Sequence, residues 1–122
     1  MANLRFADDF RGLVEIFTHR GKRYRPFVEC LNDTMTARSE LSRHGREMIA
    51  MYVSELNGCQ YCVASHRSVL DHMGIEPGVI DDAVGGTAEC PKLQAAFHFA
   101  KKLTRDPSAV SQQDIEPMRQ AG

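Results

Sequence analysis

The residues best equipped for chemistry fall in one stretch, Glu47 to His66, which reads EMIAMYVSELNGCQYCVASH. It holds a close cysteine pair, Cys59-Gln60-Tyr61-Cys62, with His66 four residues later and Glu47 twelve residues before Cys59. A thiolate, not a thiol, is the nucleophile that attacks a peroxide oxygen or a disulfide sulfur. At the start of a helix such a pair meets free N–H groups and the positive end of the dipole, both of which favour the thiolate. Side chains at i, i+3 share a helix face with Cβ atoms roughly 5–6 Å apart, whereas a disulfide wants about 3.5–4.5 Å. The first turn must therefore adjust to close the bond, and a bond closed by adjustment can be reduced again. His66 lies one turn beyond Cys62 on the same face, and histidine exchanges protons near neutral pH.

Bringing Glu47 into this group requires two helices joined by a tight turn. Ser42 can cap a helix running to about Leu56, with Ile49, Tyr52, Val53 and Leu56 at i, i+3, i+4, i+7. Asn57-Gly58 signals a turn, and a second helix is expected from about Cys59 to Met73, stopped by Gly74. In an antiparallel hairpin with a rise of ~1.5 Å per residue, Glu47 lies roughly 16 Å back from the turn. His66 then lies roughly 13 Å along the other arm and Cys62 about 7 Å. The order from the deep end is Glu47, His66, Cys62, Cys59. That is the order of a proton relay, in which a carboxylate orients an imidazole that serves a thiol. No charged residue occurs from Met48 to Ser54, so this arm reads as buried nearly all round. On the facing arm Cys59, Cys62, Val63, His66, Val69, Leu70 and Met73 form one apolar stripe.

The remaining segments also carry helical spacing. A first helix is expected from about Ala7 to Thr18, with Phe10, Leu13, Val14 and Phe17 on one face, ended by Gly21. Pro26 suits the first turn of a second helix bearing Phe27, Val28, Leu31 and Met35. Pro77 opens a short helix through Val84, broken by Gly85-Gly86. Leu93, Ala96, Phe97, Ala100 and Leu103 mark a longer helix closing near Asp106-Pro107, and a last helix follows Ser111. No alternating strand pattern, internal repeat or linker is found. The expected fold is an all-α bundle in a single domain over residues 1–122.

Composition narrows the partners. The 122 residues are 43% hydrophobic and 25% charged, with a formal net charge of -1. A chain of this length and balance suits one compact domain. It offers no basic footprint for nucleic acid and no polybasic segment for a membrane. No apolar run approaches the ~20 residues needed to cross a bilayer, and the start lacks a signal-peptide pattern. A cytoplasmic location is the expectation. Of the four cysteines only one close pair exists, so a disulfide-stapled secreted domain is not indicated.

Other readings of the same residues stay open at this point. Cys59 and Cys62 are small enough to serve as buried hydrophobes. Cys-x-x-Cys plus histidine also supplies three zinc-type ligands, although a tetrahedral site usually draws a second pair from elsewhere. Glu47 alone would be a first-turn acid near a helix N-terminus. Cys30 and Cys90, with no partner nearby in sequence, are expected to be packing residues. His44, His72 and His98 read as surface or helix-end residues, and Arg20, Lys22, Arg23 and Arg25 as a solvated face.

The set of Glu47, Cys59, Cys62 and His66 resembles the signature of the AhpD-like alkylhydroperoxidase branch of the carboxymuconolactone decarboxylase superfamily. The likeness extends over roughly residues 26 to 122, including the later run KLTRDPSAVSQQDIEPMRQAG, and is most specific across 46 to 66. It implies an AhpD-like helical bundle and a homo-oligomer (dimer, trimer or hexamer) with sites near subunit contacts. It implies thiol peroxidase chemistry on organic hydroperoxides, without metal, haem or other cofactor. In that scheme Cys62 is the thiolate oxidised to sulfenic acid and Cys59 resolves it as a disulfide. His66 and Glu47 pass protons, and an unidentified thiol or lipoyl-type compound is the reductant. The decarboxylase branch typically lacks the cysteine pair, which disfavours that activity here. Two departures stand out. Tyr61 replaces a histidine found in some relatives, and relatives commonly continue with further helices beyond the point that Gln120-Ala121-Gly122 occupies here, which leaves open whether the sequence is a shortened form. A different class of function, a non-enzymatic redox sensor whose pair switches oligomer state, fits the same residues.

Overall fold

The structure is a computed structural model and describes residues 12–122. Its described residues form seven α-helices, one 3-10 turn and no strand, the all-helical fold that the periodicity predicts. Two compact units divide the chain, the first ending at Ala37 and the second running from Arg38 to Gly122.

Within the first unit, α1 spans Leu13–His19 and α2 spans Gly21–Thr36. The predicted helix from Ala7 lies partly outside the described residues. Gly21 does not end a helix but begins one, and Pro26 sits inside α2 instead of in its first turn. The reason lies at Arg20, whose carbonyl accepts from the N–H groups of Arg23 (2.8 Å) and Tyr24 (3.2 Å). The turn is thus closed upstream of the proline, which then removes only its own bond to the Lys22 carbonyl. Phe17 packs its ring against Tyr24 and Phe27, with centroids 5.8 and 5.0 Å away. Arg20, Lys22, Arg23 and Arg25 are exposed, as expected of a solvated face. Cys30 is exposed too, which corrects its assignment as a packing residue; its stretch of α2 has no buried position.

In the second unit, α3 (Arg43–Leu56) is the central element, packed against α4 (Gln60–His72), α5 (Pro77–Val84) and α6 (Pro91–Arg105). A 3-10 turn at Pro107–Ala109 leads into α7 (Gln112–Ala121), which packs on α6. The core is built from Met48, Met51 and Tyr52 of α3, Leu70 of α4, Ile80 and Ala83 of α5, and Leu93 and Phe97 of α6. From Gly45 to Ser54 no residue of α3 is exposed, a stretch that includes the charge-free run Met48 to Ser54. The deepest positions are Glu47, Met48, Met51, Tyr52 and Ser54, so the buried face is rotated from the predicted Ile49-Tyr52-Val53-Leu56 stripe. Met73 and Leu103, assigned to apolar stripes, are exposed, Met73 at the C-cap of α4 and Leu103 in the last turn of α6.

Three helices in this unit end in the same way. After α3, α4 and α5 the chain turns through a glycine with positive φ: Gly58 (69°), Gly74 (74°) and Gly86 (77°). In each case the glycine N–H bonds three residues back and the next N–H five residues back, for example Gly74 to Asp71 and Ile75 to Leu70. These are Schellman caps, which satisfy the last carbonyls of a helix and favour glycine at the left-handed position.

Candidate active site

The cap that ends α3 also builds the start of α4. Gly58 donates to the Glu55 carbonyl and Cys59 to the Ser54 carbonyl, both at 2.9 Å. Cys59 is therefore the last residue of one cap and the N-cap of the next helix, with no residue to spare between the arms. Its backbone (φ −87°, ψ 86°) is not helical. This is the adjustment that the i, i+3 spacing requires. With Cys59 outside the helix, its Cα lies 5.3 Å from that of Cys62 and the two sulfurs are joined in a disulfide. The Cys59 sulfur also accepts the backbone N–H of Cys62 at 3.3 Å. Both cysteines are half-buried, so the sulfurs lie at the edge of the unit instead of within its core.

The hairpin places Glu47 against His66. The imidazole Nδ1 lies 2.8 Å from Glu47 Oε2 across nineteen residues of sequence. Glu47 is only 6% exposed, while His66 is half-buried and reaches the surface. A buried carboxylate needs a partner, and this imidazole supplies it. Because α3 begins at Arg43, Glu47 lies beyond the first turn and is not a solvated first-turn acid. A carboxylate only accepts hydrogen bonds, so Nδ1 carries the proton in this pair. The neutral imidazole then keeps Nε2 as its free nitrogen, the atom able to take a proton from another group.

Around the pair, Tyr61 is 58% exposed on the first turn of α4. Arg67, one residue past His66, is tied to Asp81 of α5, and that hydrogen bond raises the guanidinium further above its ordinary value. The contact holds α4 against α5 from the solvent side.

Cys90 is exposed at the N-cap of α6, again correcting its assignment to packing. It borders a cavity of about 320 Å³ lined by His44, Met48, Val79, Ala83 and Leu93 among others, and none of Glu47, Cys59, Cys62 and His66 lines it. His44, His72 and His98 are exposed, as expected. Among the described residues no three His, Cys, Asp or Glu side chains are grouped to hold a metal ion. No helix among them is long and apolar enough to cross a membrane. What the sequence did not disclose is that Cys59 belongs to two caps at once. Its signal was Gly58, the left-handed residue that the double role demands.

Fold and site together define an all-helical protein that carries a Cys-x-x-Cys disulfide at a helix start, beside a buried acid–imidazole pair. The chain belongs to the carboxymuconolactone decarboxylase family, whose sequence profile matches residues 23–102. It is similar to a crystal structure of an uncharacterized peroxidase-related protein from Silicibacter sp. TM1040, with a TM-score of 0.81 and 26% identity. That match covers 96% of this chain and 65% of the other, so the chain spans about two thirds of that protein's length. Comparison with curated proteins gives no match.

Proposed function

We propose that the protein is an AhpD-like thiol peroxidase that reduces organic hydroperoxides at Cys59 and Cys62. The observation that carries this reading is the disulfide at the start of α4, in the same hairpin as the 2.8 Å Glu47–His66 contact. The family membership and the likeness to a peroxidase-related protein support it.

In the proposed cycle, His66 Nε2 takes the Cys62 thiol proton while Glu47 holds the imidazole at Nδ1 and balances its charge. The Cys62 thiolate attacks the outer oxygen of the hydroperoxide. The O–O bond breaks, the sulfur becomes a sulfenic acid, and the alkoxide leaves as alcohol with the proton returned from His66. Cys59 then attacks the Cys62 sulfur, the S–O bond breaks, and water departs as the disulfide forms. A thiol or lipoyl-type dithiol reduces the disulfide and is itself oxidised. No metal or other cofactor enters this scheme, and neither nucleic acid nor membrane is among the proposed partners. The chain acts as a homo-oligomer in the cytoplasm.

The test is stopped-flow consumption of an organic hydroperoxide by the reduced protein, alongside Cys62→Ser and Glu47→Gln. Rapid consumption, abolished by the first variant and slowed by the second, supports the proposal. A change of assembly between oxidised and reduced protein without turnover identifies a redox sensor instead.

A further inference from the structure

The two cysteines are equivalent by spacing, but the fold gives their sulfurs different surroundings. Two other N-caps in the second unit show what the Cys59 position does. Ser42 opens α3 by accepting the N–H of Gly45 at 3.1 Å, and Asp106 opens the 3-10 turn by accepting that of Ala109 at 3.3 Å. Each is a side chain at the N-cap taking the N–H of the third residue inside, the usual way of satisfying an orphan donor. Cys59 does the same with sulfur, accepting the Cys62 N–H at 3.3 Å. Among the described residues the Cys62 sulfur accepts no backbone N–H. It lies inside the first turn, on the helix face that also carries His66.

We infer that in the reduced protein Cys59 is the pair's first thiolate, ionised by the start of α4 and independent of the Glu47–His66 pair, which serves Cys62. The inference deepens the proposed peroxidase reading and rests on it for its chemical meaning. A thiolate at an N-cap takes the role that the Asp106 carboxylate takes at its own. It receives an N–H bond and lies at the positive end of a thirteen-residue helix. The neutral disulfide sulfur already holds that bond, so the capping geometry is present before the charge arrives.

The consequence falls on the resolving step. A Cys59 that is already ionised needs no base when Cys62 becomes a sulfenic acid. The Cys59 anion attacks the Cys62 sulfur, the S–O electrons leave with oxygen as hydroxide, and hydroxide takes from solvent the proton that Cys59 released when it ionised, becoming water. The two sulfurs thus draw on separate sources of activation: backbone N–H for the one that resolves, imidazole and carboxylate for the one that meets peroxide.

The experiment is pulsed alkylation of the reduced, full-length protein with iodoacetamide across roughly pH 5–9, the range in which tuned thiols ionise. Peptide mass spectrometry reads each cysteine separately, and the exposed Cys30 and Cys90 monitor the reagent in the same digest. The expected result is a midpoint for Cys59 at least about one pH unit below that of Cys62, a tenfold difference in thiolate fraction. In Glu47→Gln the Cys62 midpoint should move while that of Cys59 stays. Equal midpoints, a lower midpoint at Cys62, or a joint shift of both in Glu47→Gln would each overturn the inference. The wild-type profile decides the order of ionisation even if the variant folds poorly. Failure to consume hydroperoxide would remove the peroxidase role but leave this profile readable.

Discussion

Replacing Gly86 and Gly74 separately by alanine separates two costs that usually travel together. Both glycines occupy the left-handed position of a Schellman cap, with φ of 77° and 74°. Their backbone penalties should therefore match at roughly 1–2 kcal/mol, offset in both by about 0.4–1 kcal/mol from a stiffer unfolded chain. Their surroundings differ. A Cβ at Gly74 meets nothing within 4 Å, whereas at Gly86 it would lie 2.5 Å from two carbons of the Tyr52 ring and 2.8 Å from its hydroxyl. That ring cannot retreat freely, because it packs on the fully buried Phe97 with centroids 5.1 Å apart. Overpacking of this kind costs typically 1–3 kcal/mol. Gly74→Ala should thus lose about 1 kcal/mol and Gly86→Ala about 2–4 kcal/mol, the difference being the overpacking alone. Urea unfolding followed by far-UV circular dichroism and tyrosine fluorescence measures both, since the chain has three tyrosines and no tryptophan. Equal losses in the two variants would refute the packing argument.

Other outcomes follow from the same coordinates. Glu47→Gln should slow hydroperoxide consumption by about 10²-fold or more, the scale of positioned acid–base assistance. The same variant should change stability by less than about 3 kcal/mol in urea, the upper range for a hydrogen bond to a charged group. Leu70→Ala, at the only fully buried position of α4, should cost about 2–5 kcal/mol by urea unfolding through the cavity it leaves. Asp114 is held at about 2, below its ordinary 3.8, chiefly by Lys102 and then by the N–H and hydroxyl of Ser111. Native protein therefore binds fewer protons there than unfolded protein, and the contribution to α7 docking is complete above 3.8 and lost as pH falls through about 2. Amide exchange in α7 should accelerate over that acid window, and Asp114→Asn should flatten the dependence.

Most of the hairpin was legible because its determinants are local. Ser42, Gly58 and Gly74 mark helix ends by capping chemistry, and the register of Glu47 against His66 follows from helical rise and the length of the turn. The same logic failed where a boundary was set by the backbone alone. At Arg20 a carbonyl starts α2 before Pro26, and no side chain announces it. Burial was the harder quantity. Cys30 and Cys90 belong to a residue type that is commonly buried, yet both are exposed, Cys30 on α2 and Cys90 at the N-cap of α6. The buried face of α3 was displaced because the helix touches three others, α4, α5 and α6. A single-stripe pattern assumes one. Likewise, Gln94 donates to the Gly86 carbonyl and accepts the Ala88 N–H, fixing the loop between α5 and α6 through a contact that depends on tertiary structure alone.

The central claim is that oxidation passes through one sulfur pair and no other. Reduced protein mixed with a single equivalent of organic hydroperoxide, then acid-quenched and mapped by mass spectrometry, tests it most directly. The account predicts one peroxide consumed, a Cys59–Cys62 disulfide formed, and Cys30 and Cys90 still thiols. Peroxide left unconsumed, or oxidation appearing first at Cys30 or Cys90, would contradict it.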